Sequence, residues 1–414
     1  MLLSHFRRPE IRLFFVVSVL FYMSIQSIDA FLAPIMVGQS IEPQMIMGTS
    51  GLATLFIRFP LGVISDVVKS RKKIIQISLL LPLITWPLAY LEPNAATLWL
   101  AKAADGFTAA TWVLYNVLFI RYFRSDEAPA AVALLALAGP VGVFIGNTIA
   151  GLLIHYFAGN ASYFLSSTAA LLALLLTTRI KEESTRLQAP SLQASIAEAR
   201  CQLVDSSIWL IGFLAIIVVL VPFATRDTLT PIYAKQLGAQ SGILAMLSNL
   251  HLVCYAAGMA FCSSAVGKST GLLKTAIVGM LLQAISSAAI PCTQNMAAIF
   301  FLQAVSGFSF GMAFATLISL SVLNTGENEQ SARTGLFQTI YSCGMFAGPV
   351  IIGIVMQYGS LRFGYFITGA FSLGAILLTP LALRLVYQRQ RKLLSTDLPA
   401  TPCIRILPGD REEQ

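Results

Sequence analysis

Charged side chains are scarce in this chain. Asp, Glu, Lys and Arg make up 11% of its 414 residues, against 56% for apolar types. With a mean hydropathy of +0.76, that excludes an ordinary soluble domain, in which roughly a quarter of residues are charged. Histidine occurs three times and cysteine six times. Cys201, Cys254, Cys262, Cys292, Cys343 and Cys403 fall at no spacing that makes a metal centre or a disulfide framework, so neither a metal nor a cofactor is expected. A small-residue cleavage site is also missing. The first apolar run follows the basic start Met1–Arg8 and continues to Val37, so it reads as a retained helix, not a signal peptide.

What is present is a series of apolar runs of membrane-spanning length, about 20 residues each. They predict twelve helices, at 11–36, 45–67, 74–91, 96–120, 130–157, 162–178, 207–236, 242–263, 273–291, 296–323, 334–357 and 362–387. One long polar link, 179–206, divides them six and six. The expected organisation is therefore an N-terminal bundle (1–178), a central loop (179–206), a C-terminal bundle (207–387) and a charged, disordered tail (388–414). With both termini cytoplasmic, 22 of the 27 Lys and Arg residues fall on the cytoplasmic side. Only Lys235 and Arg362 fall in outer loops, the bias the positive-inside rule describes. The net charge of +8 thus reports membrane topology, not nucleic-acid binding.

The halves repeat one another. Ala138-Gly139-Pro140-Val141 in the fifth helix recurs as Ala347-Gly348-Pro349-Val350 in the eleventh. Asp105-Gly106-Phe107 in the fourth corresponds to Ser306-Gly307-Phe308 in the tenth. Asp29 with Pro34-Ile35 in the first corresponds to Asp227 with Pro231-Ile232 in the seventh. Each pair joins a helix to the sixth one after it, which implies two parallel six-helix repeats with a pathway between them. Gly139, Pro140, Gly348 and Pro349 are candidate packing and hinge positions.

Between the second and third helices the chain reads Gly62-Val63-Ile64-Ser65-Asp66-Val67-Val68-Lys69-Ser70-Arg71-Lys72-Lys73. The spacing Gly-x-x-x-Asp-x-x-x-x-Arg-Lys resembles the loop 2–3 signature of the major facilitator superfamily. That resemblance covers nearly the whole chain up to about Tyr387. It implies an all-α, twelve-helix transporter of two pseudo-symmetric bundles that alternates between outward-open and inward-open forms. In such a fold, Gly62, Asp66, Arg71 and Lys72 belong to an inner gate, with Asp66 expected to reach Arg333 and Arg71 to reach Asp126.

Six Asp, Lys and Arg residues lie well inside the helices, away from their ends: Asp29, Arg58, Lys102, Asp105, Arg226 and Asp227. A charge inside a bilayer costs several kcal/mol unless paired or wet, so each marks a pathway by default. Asp29, Lys102, Asp105 and Asp227 lie about 6 to 9 residues from the outer helix ends, roughly 9–14 Å deep. Arg58 is nearer mid-membrane. Helical spacing aligns Asp29 with Ser18, Tyr22 and Gln26, and Lys102 and Asp105 with Trp112 and Asn116. Resemblance to the family places helices 1, 4 and 7 on a central cavity. Proton antiporters of the family carry Arg-x-x-x-Gly in helix 4 and Gly-Pro-x-x-Gly-Gly in helix 5. This chain has Lys102-Ala103-Ala104-Asp105-Gly106 and a partial match, Gly139-Pro140-Val141-Gly142.

Other motifs lack their structural setting. Gly307-Phe308-Ser309-Phe310-Gly311 has the spacing of a nucleophile elbow but lies within an apolar helix. Gly267-Lys268-Ser269 lacks the first glycine of a phosphate loop. Asn160-Ala161-Ser162 is a glycosylation sequon in a short outer loop. His155 and His251 are expected to be structural, and Trp86, Trp99, Tyr90, Tyr156 and Tyr163 to form an interfacial aromatic belt. The expected function is proton-coupled export of a small polar or zwitterionic compound: a drug, an opine-like metallophore or siderophore, or a metabolite. The alternatives are proton-coupled uptake and, from another class, a non-transporting receptor or an intramembrane enzyme. The expected setting is a monomer in a bacterial inner membrane, its partners being lipid, substrate and protons.

Overall fold

The computed structural model describes residues 6–68, 70–123, 127–157, 159–182, 205–323 and 327–395. Among them the regular structure is entirely helical. Eleven helices are long and apolar enough to cross a membrane, and Pro43–Val68, 26 residues long, makes the twelfth. In chain order they are α1 (Pro9–Gly38), α2 (Pro43–Val68), α3 (Arg71–Leu91), α4 (Ala95–Ile120), α5 (Ala128–Ala136 and Ala138–Tyr156) and α6 (Tyr163–Thr177). The second half comprises α7 (Ser206–Gln236), α8 (Ser241–Ser263), α9 (Leu272–Ala289), α10 (Met296–Val322), α11 (Glu327–Tyr358) and α12 (Leu361–Ser395). The last helix thus continues past residue 387, where the apolar run ends.

Local chemistry sets the helix starts. Asn94 accepts from the amides of Ala96 and Thr97 at 3.0 Å, and Thr97 returns a bond to the Asn94 amide, a capping box that opens α4. Asp205 caps α7 through the Ser207 amide at 2.9 Å, and Asn295 caps α10 through that of Ala297.

Three helices are interrupted near their charges. α1 breaks at Ser27–Ile28, immediately before Asp29. α4 breaks at Thr111, between Ala110 and Trp112. α7 contains a π-helical turn, Thr225–Leu229, bracketed by Pro222 and Pro231. Proline removes a backbone donor, and π turns concentrate at functional sites.

The repeat visible in the sequence is also a repeat of packing. A Cβ on Gly106 of α4 would strike the Ser50 carbonyl of α2, and one on Gly307 of α10 would strike the His251 carbonyl of α8. The two contacts are related by one offset, since 307 − 106 and 251 − 50 both equal 201. Absence of a side chain lets each helix pair close to backbone contact. Gly348 likewise abuts the Leu220 carbonyl of α7, and Gly139 packs against the Tyr22 ring.

The apolar clusters divide by depth. On the face that holds the two chain ends, one cluster is built around Phe14, Phe21, Tyr115 and Leu135, all from the first half. Its counterpart, around Ile211, Leu317, Phe337 and Leu383, is all from the second. On the opposite side, Ala30, Phe31 and Ala150 share a cluster with Leu229, Tyr233 and Ala245. A second joint cluster adds Leu32 and Met36 to Ile232. Among the described residues, the apolar cores that join the halves therefore lie away from the terminus face.

Candidate functional site

The central feature is Lys102. Its Nζ lies 2.8 Å from Asp29 Oδ1 and 3.4 Å from Asp105 Oδ2. Lys102 and Asp105 are each 1% exposed and Asp29 is 8% exposed. Three residues apart, Lys102 and Asp105 share one face of α4. Asp29 is presented by the first turn of the second α1 segment, where the helix dipole favours a negative charge. The ammonium therefore ties α1 to α4 across the interior of the first half. Asp105 is bound at both oxygens, because the Trp86 indole N–H donates to its Oδ1 at 3.0 Å.

Trp86 overturns one expectation. It does not sit in an interfacial belt: it is 1% exposed, and Tyr163, packed 5.1 Å from it, is fully buried. Trp99, half exposed, and Tyr156, 73% exposed, do lie at the surface. A buried indole requires an acceptor, and Asp105 supplies it.

Across the interface, Asp227 pairs with its chain neighbour Arg226 inside the π turn. Adjacent residues on a regular α-helix point apart, so this pairing depends on the irregular turn. Asp227 is 3% exposed and its Oδ2 has no partner among the described residues. It is close enough to Asp29 and Lys102 for their charges to act on it. Three acids and two bases there carry a net charge of −1. Beside Arg226 is a small cleft, with Thr230, Ser248 and Gln303 on its wall. His251, 1% exposed, is close enough to Arg226 to feel its charge, and neither ring nitrogen makes a hydrogen bond of good geometry among the described residues. Gln303 Oε1 is also buried and unpartnered. Both were invisible as site candidates in the sequence, where a lone His and a lone Gln within apolar runs carry no spacing signal. Among the described residues, no group of three or more His, Cys, Asp or Glu is placed to hold a metal ion.

Arg58 stands apart from these acids. It is 7% exposed, and its NH groups reach the Gln338 carbonyl at 3.3 Å, Ser342 Oγ at 3.4 Å and the Ala109 carbonyl at 3.5 Å. Tyr22 and Trp112 make an edge contact, ring centres 4.8 Å apart. Gln26 is half-buried on α1. Asn116 donates its amide to the Trp112 carbonyl of its own helix at 2.9 Å.

At the terminus face, Arg333 is 1% exposed and is bound within its own half. It donates to Asp205 and to Ser207 Oγ (2.8 Å), and to the Ser321 carbonyl. Burial alone would raise the Asp205 carboxyl. The hydrogen bonds from Arg333 and Ser207 and the Arg333 charge outweigh it and hold the group below the usual carboxylate range. The surroundings of Gly62, the side chain of Asp66 and all of Asp126, the partners expected for Arg333 and Arg71 among them, lie outside the described residues. Of their neighbours, the Arg71 amide donates to Glu182 at 2.8 Å. Lys72 Nζ donates to the carbonyls of Thr178 (2.7 Å) and Ile180 (2.8 Å), which fastens α3 to the end of α6.

The profile of the Major Facilitator Superfamily matches residues 14–267 and 224–408. No protein of curated function matches the chain by sequence. Among solved structures, the fold is similar to a bacterial homologue of the human lysosomal transporter Spinster in an inward-facing, unoccupied conformation. The TM-score is 0.71 at 12% identity, covering 94% of this chain and 98% of that one. The same homologue, inward-facing and occupied, gives 0.69 at 13% identity over 93% and 97%. The nucleoside transporter NupG gives 0.71 at 13% identity over 91% and 100%. Twelve helices in two repeated halves, an interface of buried charges and a family match running through both halves lead to one assignment: the chain belongs to the Major Facilitator Superfamily and is a multi-pass membrane transporter.

Proposed function

We propose that this protein is a proton-coupled secondary transporter that exports a small polar or zwitterionic organic compound by alternating access. The observation that carries the reading is Lys102 held between Asp29 and Asp105. An ammonium shared by two buried carboxylates carries one negative charge too many, so the group takes up one proton at modest cost. Protonating Asp29 frees Lys102 to turn wholly to Asp105. That loosens the α1–α4 tie, which is the kind of local charge change that biases a two-state element.

With the Lys- and Arg-rich face taken as cytoplasmic, the joint apolar cores close the outer side, and the arrangement is that of an inward-facing carrier. The Spinster homologue, described as inward-facing, supports this reading by its similarity. In the outward-facing form, Asp66 and Arg71 close the inner side against Arg333 and Asp126. A bacterial inner membrane and a monomeric carrier complete the reading.

The partial match in helix 5 favours one rival, proton-coupled uptake. Purified protein in liposomes with an imposed pH gradient separates the two. Export by antiport requires that an inward-directed proton gradient drive substrate outward; movement of substrate with the protons identifies a symporter. Flux indifferent to the gradient in wild type, or undiminished in Asp29→Asn, Asp105→Asn and Asp227→Asn alike, rules out coupling through this cluster.

A further inference from the structure

Lys102, Arg226 and Arg333 each contact a carboxylate; among the described residues Arg58 contacts none. Its bonds run to two backbone carbonyls and one hydroxyl, all at 3.3 Å or longer, and its Nε has no partner among the described residues. A buried cation without an anion is costly, and side chains of both halves surround it. The guanidinium lies 5.9 Å from the centre of the Tyr341 ring of α11. Tyr22 of α1 is close enough to feel the Arg58 charge and the hydroxyls of Tyr341 and of Tyr255 from α8. All three tyrosines are half-buried, and none of their hydroxyls hydrogen-bonds within the described protein. Trp112 packs on Tyr22, and Phe310 stacks on Tyr255 at 4.9 Å. The result is a group of aromatic rings with a positive charge at its edge that no carboxylate among the described residues compensates.

Resting on the transporter reading above, we propose that Arg58 is the receptor for the carboxylate of an organic monoanion or zwitterion. The aromatic or apolar body of that substrate lies among Tyr22, Trp112, Tyr255 and Tyr341. One free cation matches one negative charge; a dianionic phosphate would leave excess charge in the membrane interior. The tyrosine hydroxyls supply further donors, and the buried, unpartnered Gln338 Oε1 supplies an acceptor. This site is separate from the acid cluster. Gly106, next to Asp105, packs on Ser50, and Arg58 follows eight residues further along α2, about 12 Å nearer the terminus face. The two charges of an α-amino acid are too close together to span that distance. The substrate anion therefore docks at Arg58 while the carboxylates remain available to carry the proton.

The test is binding by the purified full-length protein in a neutral detergent, with no gradient. It uses a series of probes (acetate, benzoate, phenylacetate, indole-3-acetate and 1-naphthoate), each against its neutral amide and read by calorimetry and thermal shift. Wild type should bind the aromatic acids about tenfold tighter than their amides, with acetate weakest. Arg58→Gln should lose that preference, Arg58→Lys should keep part of it, and Tyr341→Ala should weaken acids and amides together. The wild-type comparison stands even if a variant fails to fold. No preference for acids in wild type overturns the assignment. A preference undiminished in Arg58→Gln does so too, and leaves the guanidinium as a tie between α2 and α11. Selective binding without pH-driven flux would retain the Arg58 site and reject the coupling, so the two readings fail separately.

Discussion

Lys102 of α4 and Asp29 of α1 meet at 2.8 Å, both buried, and form the shortest charged link between these two helices of the first half. Removing one partner of such a pair leaves a charge in the interior without compensation, at about 3–5 kcal/mol. Lys102→Met should therefore lower the thermal stability of the purified protein steeply. Lys102→Met combined with Asp29→Asn should recover part of the loss, because one of the two carboxylates that Lys102 neutralises is then removed with it. Additive losses in that double-mutant cycle would show that the two residues do not share an interaction.

Gly106 and Gly307 occupy equivalent places in the two halves, each against a backbone carbonyl of the preceding even-numbered helix. A methyl group at either position must push α4 from α2 or α10 from α8, at about 1–3 kcal/mol. Gly106→Ala and Gly307→Ala should each lower the unfolding temperature. Gly335→Ala is the control, since nothing lies within 4 Å of the position a Cβ would take there. Equal behaviour of all three would remove the argument for symmetric close packing.

Asp205 opens α7 and neutralises Arg333, which is 1% exposed. Asp205→Asn leaves that guanidinium without its carboxylate and should destabilise the protein at neutral pH by about 3 kcal/mol. The pH dependence has a definite sign. The folded-state carboxyl sits below its ordinary value of 3.8. Its contribution is thus fully present above that value and is lost as pH falls through the lower, folded-state one. Unfolding of wild type and Asp205→Asn should converge only in strong acid, below about pH 4. A gap already closed at pH 6 would show that the pair contributes little.

How much of this was legible in the sequence depends on the range of the interaction. Helix number, the repeat and the shared depth of Asp29, Lys102 and Asp105 follow from hydropathy and residue counting, because the bilayer fixes length and level. Partner choice does not. Trp86 resembles an interface residue, since nothing in α3 reveals that its indole faces Asp105 of α4. The Arg226–Asp227 pair requires a π turn, and neighbours in sequence would otherwise point apart. Arg333 takes Asp205, 128 positions away, a partner that no spacing in the sequence announces. In each case a side chain's direction decides, and an apolar run does not encode it.

Asn147 of α5 and the pair Ser248 and Asn249 of α8 join the halves on the side away from the chain ends. Asn147 Nδ2 lies 3.1 Å from Ser248 Oγ and 3.1 Å from Asn249 Oδ1. Asn249 in turn donates to Thr148 at 3.0 Å, and Ser241 donates to the Gly151 carbonyl at 3.0 Å. Alternating access requires this seam to open. Asn147→Cys with Ser248→Cys, in a background with the native cysteines replaced by serine, should form a disulfide under mild oxidation and hold the seam shut. Flux in proteoliposomes should then fall to background and return on reduction. Binding from the terminus face should survive the cross-link, because that side is not constrained. Flux that continues through a fully oxidised cross-link would mean that α5 and α8 move as one body, and that the pathway opens elsewhere.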